Sequence, residues 1–330
     1  MLLRALATAA LMLTAGHAAA QCVGTSYMDL ISDDQRAELD QATAALPYAE
    51  GLIWDATRDG QVITVVGTMH IFDPRLVPIY DLIVRDVTAA DLVLLEATPD
   101  DQRALEAMLA EQPDMFLITD GPTLPDLLDE ETWALLSEAS LDRGLPGFMA
   151  AQMQPWYLSL MLAIPPCALP DLATGIAGLD GLISQLAGDN DVPMRSLEPI
   201  TTLFDFFQRG SMEEQIDMLR LSLLSPELQQ QMFVAMLDSY FSGQVGRLWE
   251  MSRLTVSDLP GIDPETGIAL FNEMEQGLLY QRNRDWMPVI AKAMDEHDTI
   301  VAAFGAAHLI GKDGVLQLLE NDGWELQKRY

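Results

Sequence analysis

Two histidines stand in the same local frame at distant points of the sequence. His70 ends the run VVGTMH at 65–70, and His308 ends the run AFGAAH at 303–308. If both β-rich runs are strands of an open α/β sheet, the imidazoles emerge at the strand ends, where such sheets form their ligand crevice. The repeated frame therefore predicts a site that uses both histidines. The simpler alternative is that each ring only packs at the end of its strand.

Carboxylates end two further apolar runs. Glu96 follows DLVLL, and Glu198 follows VPMRSL. A carboxylate at the end of a buried strand costs free energy unless it is paired, hydrogen-bonded or bound to a metal. Two histidines and one carboxylate are a familiar ligand set for a divalent ion that keeps open positions for water. For Glu198 the alternative is an ion pair with nearby Arg195.

The elements that must position these residues lie near both ends of the chain. LIWDAT and QVITVVG flank the turn RDG and predict a hairpin, and Asp73-Pro74 predicts the N-cap and first residue of a helix that runs to about residue 88. Further strands are predicted at 91–97, at 192–198, at 299–305 and in WELQKR, with helices over about 101–190 and 201–296. The predicted fold class is α/β, with a mixed central sheet built from both ends of the chain and a large helical insertion.

The charge and the N-terminus limit the classes of partner and compartment. The 330 residues carry a formal net charge of −32 at pH 7, which disfavours nucleic acid and anionic membrane surfaces as partners. Residues 1–20 have a basic start, a short apolar run and small residues before Gln21, which predicts a signal peptide cleaved after Ala20. We therefore expect a periplasmic or secreted protein with one domain over 21–330 and no integral membrane segment after cleavage.

Two cysteines remain after this cleavage, Cys22 and Cys167. Compartments beyond the inner membrane are oxidising, so a disulfide between them is predicted. It would tie the mature N-terminus to the proline-rich segment IPPCALP. The alternative is a pair of independent buried thiols.

Several motifs together resemble the TraB/GumN family, whose animal relatives are the Tiki proteases. They are GTMH followed by FDPRL, the strand that ends in Glu96, GLDGLI, a strand that ends in Leu197-Glu198, QRNRDW and GAAHLIGKDGVLQLLENDGWEL. The resemblance implies a core related to erythromycin esterase and ChaN-like proteins. It also implies an active site that contains the paired GxxH motifs and a glutamate.

The Tiki branch implies a metal-dependent peptidase that favours Mn²⁺ or Co²⁺. Carried over to this sequence, the metal ligands are His70, His308 and Glu96, with Zn²⁺ as a third candidate ion. The RN pair, Arg282 and Asn283, is implied as polar support. The related esterase group implies instead a histidine that acts as a base without a metal.

The favoured function is an exported hydrolase that acts on a peptide or protein substrate. In this hypothesis the ion activates water, Glu198 or Glu96 accepts the proton, and Arg282 with Asn283 steadies the substrate or oxyanion. Two alternatives stay open. One is ester hydrolysis with a histidine base and no metal, and the other is non-catalytic binding of a peptide or a polysaccharide-linked ligand. Asp180 in GLDGL either caps a helix or faces the pocket, and the oligomeric state is left open.

Overall fold

Six strands form the central sheet, in a computed structural model that describes residues 22–257 and 263–330. The strands are β1 (Ile53–Arg58), β2 (Gln61–Thr68), β3 (Leu92–Leu95), β4 (Met194–Ser196), β5 (Thr299–Gly305) and β6 (Glu325–Lys328). Their order across the sheet is β4-β3-β5-β2-β1-β6. The four strands from β4 to β2 are mutually parallel, and β1 is antiparallel to both β2 and β6. The predicted mixed sheet, built from both ends of the chain, is confirmed.

Helices occupy most of the chain between these strands. The α-helices are α1 (Asp33–Ala44), α2 (Leu76–Ala89), α3 (Pro99–Glu111), α4 (Leu124–Leu127), α5 (Glu130–Leu141), α6 (Gly147–Ala150), α7 (Pro155–Leu162), α8 (Leu169–Ala173), α9 (Leu179–Asp189), α10 (Thr202–Phe207), α11 (Met212–Leu221), α12 (Pro226–Phe241), α13 (Val245–Ser257), α14 (Pro264–Glu275), α15 (Gln281–Glu296) and α16 (Val315–Asn321). The helical insertion is therefore confirmed. The predicted signal peptide and its cleavage site after Ala20 lie outside the described residues.

The central strands are apolar on both faces because helices cover the sheet from both sides. β3 has the sequence LVLL and is buried at every position, and β5 is buried over its inner five residues. Parallel strands covered on both faces have this continuous apolar character, since neither face meets water. One apolar core therefore holds the sheet and fixes where its strands end.

The helix after β2 starts later than the sequence predicts. Asp73 and Pro74 do not form its N-cap and first residue, because α2 begins at Leu76 and its N-cap is Arg75. The Asp73 carboxylate instead accepts the backbone N–H of Arg75 at 2.9 Å and pairs with the Arg75 guanidinium. The prediction is wrong for a local reason: a carboxylate that closes a turn two residues on competes with the helix for the same N–H groups.

The insertion helices have an apolar cluster of their own, which includes Leu136, Leu158 and Leu219. Within the described ranges, no single helix is long and apolar enough to cross a membrane. The helical segments Pro155–Leu162 and Pro166–Ala173 are long and apolar enough only when they are taken together, and the chain bends by 71° between them.

A disulfide joins this insertion to the start of the described chain. Cys22 and Cys167 are bonded across a sequence separation of 145 residues, with their Cα atoms 5.1 Å apart. The predicted pairing is thus confirmed in the structure. Because the bond closes a long loop, it restricts the unfolded chain strongly.

Replacing both cysteines by alanine is expected to lower the free energy of unfolding by about 2–4 kcal/mol, since the unfolded chain gains conformational freedom. Urea unfolding of the oxidised protein and of the double variant measures the difference. The reduced wild type serves as the matched control and should unfold close to the double variant. Equal midpoints for the oxidised and reduced wild type would contradict the expectation.

Candidate functional site

A groove of about 640 Å³ opens at the carboxyl ends of the parallel strands. Its floor includes Thr68 at the end of β2 and Ala303 in β5, and α9 forms one wall. The wall residues recur at helical spacing, and they are Asp180, Gly181, Ser184, Gln185, Gly188 and Asp189. At a rise of about 1.5 Å per residue, this face of α9 is roughly 13 Å long. The groove is therefore elongated, and it lies where an open α/β sheet forms its ligand crevice.

His70 lies at one end of the groove and pairs with the first turn of α9. Its Nδ1 is 3.1 Å from Oδ2 of Asp180, and 66% of the imidazole side chain is exposed. The interaction with Asp180 raises the pKa of His70 to about 9. Because most of the ring is exposed, water screens part of the effect. The pair can hold and transfer a proton at the groove surface.

A close approach of backbones fixes this pair in place. The N–H of Leu179 donates to the carbonyl of Met69 at 2.9 Å. At Gly178, just before α9, a β-carbon would collide with the backbone of Met69 and His70. Glycine is therefore required where α9 meets the segment that carries His70.

Thr68, two residues before His70, is part of the groove floor. The residue is 3% exposed, and its hydroxyl has no hydrogen-bond partner in the part of the chain that the structure describes. Buried hydroxyl groups are normally hydrogen-bonded. Because this oxygen is itself covered from solvent, a molecule in the groove does not reach it in this conformation.

Arg282, in the first turn of α15, lies beneath the groove and is 7% exposed. Its Nη2 donates to Glu96 Oε2 at 2.6 Å and to Glu198 Oε1 at 2.5 Å, and its Nε lies 3.0 Å from both Glu198 oxygens. Its Nη1 donates to the Leu278 carbonyl at 2.9 Å and lies 3.2 Å from His308 Nε2. A guanidinium has five N–H donors, and these contacts use all of them. Arg282 therefore has no free donor for a substrate oxygen.

Glu96 is held as a carboxylate from two sides. Oε1 accepts the backbone N–H of Gly305 at 2.6 Å, and Oε2 accepts Nη2 of Arg282. Burial alone would raise the pKa of Glu96. In the acid range where Glu96 titrates, a protonated His308, the Arg282 cation, His70 and the Gly305 N–H together lower this pKa well below its usual range. A carboxylate bound so tightly is a weak base.

His308 lies behind this cluster and is 3% exposed. Its Nδ1 donates to Oδ1 of Asn283 at 2.6 Å, so its Nε2 is unprotonated and accepts Nη1 of Arg282. Burial lowers the pKa of His308 to about 3, and the Arg282 cation acts in the same direction. The ring packs on Trp286 with centroids 4.4 Å apart. His308 is thus a neutral acceptor that positions Arg282.

Glu198 is paired with Arg282 and not with Arg195, whose guanidinium instead contacts Glu296 at 2.7 Å. The Trp286 indole also donates to Glu198 Oε2, at 3.0 Å. Trp286 is fully buried, one helical turn after Arg282. The α15 face thus supplies both the cation and the indole that hold Glu198.

Six residues were predicted for the site from the sequence, and the structure divides them between two layers. His70, Glu96, Glu198 and Arg282 line the groove. His308 and Asn283 lie behind it, where the Asn283 amide donates to the Asp313 carbonyl at 2.8 Å. Sequence reasoning did not pair Asp180 with His70 and missed Trp286, although both lie in motifs that the sequence analysis singled out, GLDGLI and QRNRDW.

A comparison with protein-family models decides the family of this chain. The model described as the TraB/PrgY/gumN family matches residues 52–328. The chain belongs to the TraB/PrgY/gumN family. The match covers every strand of the sheet and every residue of the candidate site. A search of curated proteins gave no match.

The metal site that the family resemblance implies does not fit the side chains of this TraB/PrgY/gumN chain as they stand. Neither nitrogen of His308 is free, because one donates to Asn283 and the other accepts Arg282. Oε2 of Glu96 accepts the Arg282 guanidinium, whose positive charge would lie beside any ion that Glu96 bound. Across 22–257 and 263–330, no group of three or more histidine, cysteine or carboxylate side chains is arranged to hold a metal ion. The proposed ligation by His70, His308 and Glu96 stays a prediction, and no chemical step below depends on it.

Proposed function

We propose that this chain is an exported hydrolase that cleaves the acyl bond of an extended substrate, a peptide in the favoured case, with His70 as general base and no bound metal. The observation that carries the proposal is the His70–Asp180 pair at the end of an elongated groove. Export is supported by the disulfide between Cys22 and Cys167, because such bonds persist in oxidising compartments.

The chemistry needs one base and one acid, and His70 can be both in turn. Neutral His70 takes a proton from a water molecule as the water oxygen attacks the substrate carbonyl carbon. Protonated His70 then gives that proton to the leaving nitrogen or oxygen as the bond to carbon breaks. Asp180 orients the ring and stabilises the imidazolium that forms between the two steps.

The shape and charge of the groove favour one class of substrate. Its wall on α9, roughly 13 Å long, matches about four residues of extended peptide at about 3.3 Å each. Its lining contains four carboxylates, one guanidinium and one titratable imidazole, which are Glu96, Asp180, Asp189, Glu198, Arg282 and His70. An excess of negative charge repels anionic substrates. Neutral or basic peptides are therefore favoured over phosphorylated or acidic ones.

The proposal is tested by incubating the purified chain with a peptide library and with a panel of carboxylic esters, and by detecting the products by mass spectrometry. We expect cleavage of neutral or basic peptides, and loss of that cleavage in His70→Asn. His297→Asn is the matched control, because His297 follows α15 at the opposite edge of the sheet. Cleavage of esters alone would overturn the peptide assignment, and cleavage that survives in His70→Asn would overturn the mechanism.

Non-catalytic peptide binding is a second candidate, and one observation favours it. The pairing with Asp180 raises the pKa of His70 and so favours its imidazolium form, and an imidazolium is not a base. A binding protein predicts saturable peptide binding without any product over long incubation. Isothermal titration with library peptides, followed by mass spectrometry of the same samples, separates binding from hydrolysis.

The role of Asp180 predicts a specific change in the pH profile. Because base catalysis needs neutral His70, the rate is expected to rise with pH as His70 loses its proton, with a midpoint above the ordinary value of about 6.5. Asp180→Asn removes the negative charge that favours the imidazolium form of His70, although the amide oxygen can still accept the Nδ1–H. The midpoint should therefore move to lower pH while kcat falls. Asp189→Asn, on the same helix face, is the control and should keep the midpoint. An unmoved midpoint in Asp180→Asn would contradict the assignment.

A further inference from the structure

We propose that the guanidinium of Arg282 takes the position that a divalent cation would hold in this site, so that the folded chain binds no metal there. Removing the guanidinium should then create a site for Mn²⁺ or Zn²⁺. The inference rests on the contacts of Arg282, and it shares the absence of a bound metal with the proposed mechanism. Metal binding by the wild-type chain would overturn both, whereas peptide cleavage by His70 can fail while this inference stands. The inference can fail or succeed whatever the substrate is.

Arg282 is surrounded by the kinds of atom that ligate metals. Its Nη2 contacts Oε2 of Glu96, and its Nε and Nη2 contact the carboxylate of Glu198. Its Nη1 lies 3.2 Å from the unprotonated Nε2 of His308. Two carboxylates and one neutral imidazole are a donor set that suits several divalent transition metals. In this chain those three donors all face one guanidinium.

Burial and charge make the guanidinium hard to displace. Arg282 is 7% exposed, and its Nη1 is also anchored to the Leu278 carbonyl in the π-helical turn Gln276–Tyr280. Its single positive charge meets two carboxylates, so Arg282 with Glu96 and Glu198 has a net charge of −1. A divalent ion beside it would meet a cation a few ångströms away in a poorly hydrated site. A metal and the guanidinium are therefore alternatives and not partners.

Removing the Arg282 side chain would make room for a metal ion and remove the charge that opposes it. Arg282→Ala would leave Glu96 and Glu198 as two buried carboxylates without a counter-ion, next to the free Nε2 of His308. A divalent cation would neutralise both carboxylates, and Glu96, Glu198 and the His308 Nε2 would be its ligands. The three side chains are not arranged around one ion in the parent chain, so they would have to close into the space that the guanidinium leaves. The variant should then bind Mn²⁺ or Zn²⁺ where the parent chain does not.

The first experiment titrates the purified wild-type chain, after dialysis against EDTA, with Mn²⁺ and with Zn²⁺ by isothermal calorimetry, and measures bound metal after gel filtration. We expect no stoichiometric binding and no shift of the Tm. Stoichiometric binding that is lost in both Glu96→Gln and His308→Asn would overturn the inference.

The second experiment repeats the titration with Arg282→Ala. We expect stoichiometric binding, at least about tenfold tighter than any binding by the wild type, with a raised Tm. Arg284→Ala is the matched control, because Arg284 lies on the same helix and pairs with Asp313 at a half-exposed position. Adding His308→Asn to Arg282→Ala should weaken the new site. A folded Arg282→Ala that binds no metal would also overturn the inference, and if that variant does not fold, the wild-type titration decides.

Discussion

Replacing His70 by asparagine is expected to lower kcat/KM by about a hundredfold to ten-thousandfold, the range that a positioned general acid or base contributes. His70 lines the groove, and most of its side chain is exposed to the solvent. The Asp180 carboxylate lies 3.1 Å from its Nδ1 and can stabilise the imidazolium that forms. Steady-state kinetics on a peptide identified from the library measures the effect.

The stability of the same variant separates a chemical role from a structural one. With 66% of its side chain exposed, His70 contributes little to the core. The Tm of His70→Asn should therefore stay close to that of the wild type, and His297→Asn should keep both activity and Tm. A His70→Asn variant that retains most of its kcat/KM would contradict the assignment of His70 as the base.

Arg282→Met is expected to lower the free energy of unfolding by about 3–5 kcal/mol at neutral pH, because it leaves buried carboxylates without their cation. The Arg282, Glu96 and Glu198 side chains are 7%, 17% and 9% exposed, so little water can replace the lost contacts. Urea unfolding measures the loss. Arg284→Met is the control, and its more exposed pair with Asp313 should cost at most about 1 kcal/mol.

The pH dependence of this loss has a definite sign. Arg282 holds the pKa of Glu96 below its ordinary value of about 4.5, so its pairing stabilises the fold fully above that pH. As the pH falls below about 4.5, the unfolded chain takes up the proton first, and this stabilisation is progressively lost. The difference in the free energy of unfolding between the wild type and Arg282→Met should therefore become smaller at acid pH. A difference that is constant with pH, or no larger than that of Arg284→Met, would contradict the account.

The sequence predicts the sheet well because the signal for it is local. β-branched and apolar runs such as VITVV and TIVAAF favour buried strands, and β2 and β5 do pair in parallel as adjacent strands. The two GxxH frames therefore do meet at one edge of the sheet. The local signal is ambiguous at Asp73, because a turn and a helix cap use the same residue types and only the backbone path separates them.

The two histidines illustrate what local sequence cannot give. His70 and His308 follow the same frame, yet one is mostly exposed and the other is covered by Trp286. The difference is that α15 covers the end of β5, which His308 follows, and leaves the end of β2, which His70 follows, open. Likewise, Arg282 pairs with carboxylates 84 and 186 residues away, and no spacing rule reports such contacts.

Activity in the presence of a chelator tests the central claim most directly. The wild-type chain, dialysed against EDTA and assayed in EDTA on its best library peptide, is predicted to keep its full kcat/KM, to gain nothing from added Mn²⁺ or Co²⁺, and to lose activity in His70→Asn. Activity that EDTA abolishes and Mn²⁺ or Co²⁺ restores would contradict the account and return the site to the metal-dependent hypothesis.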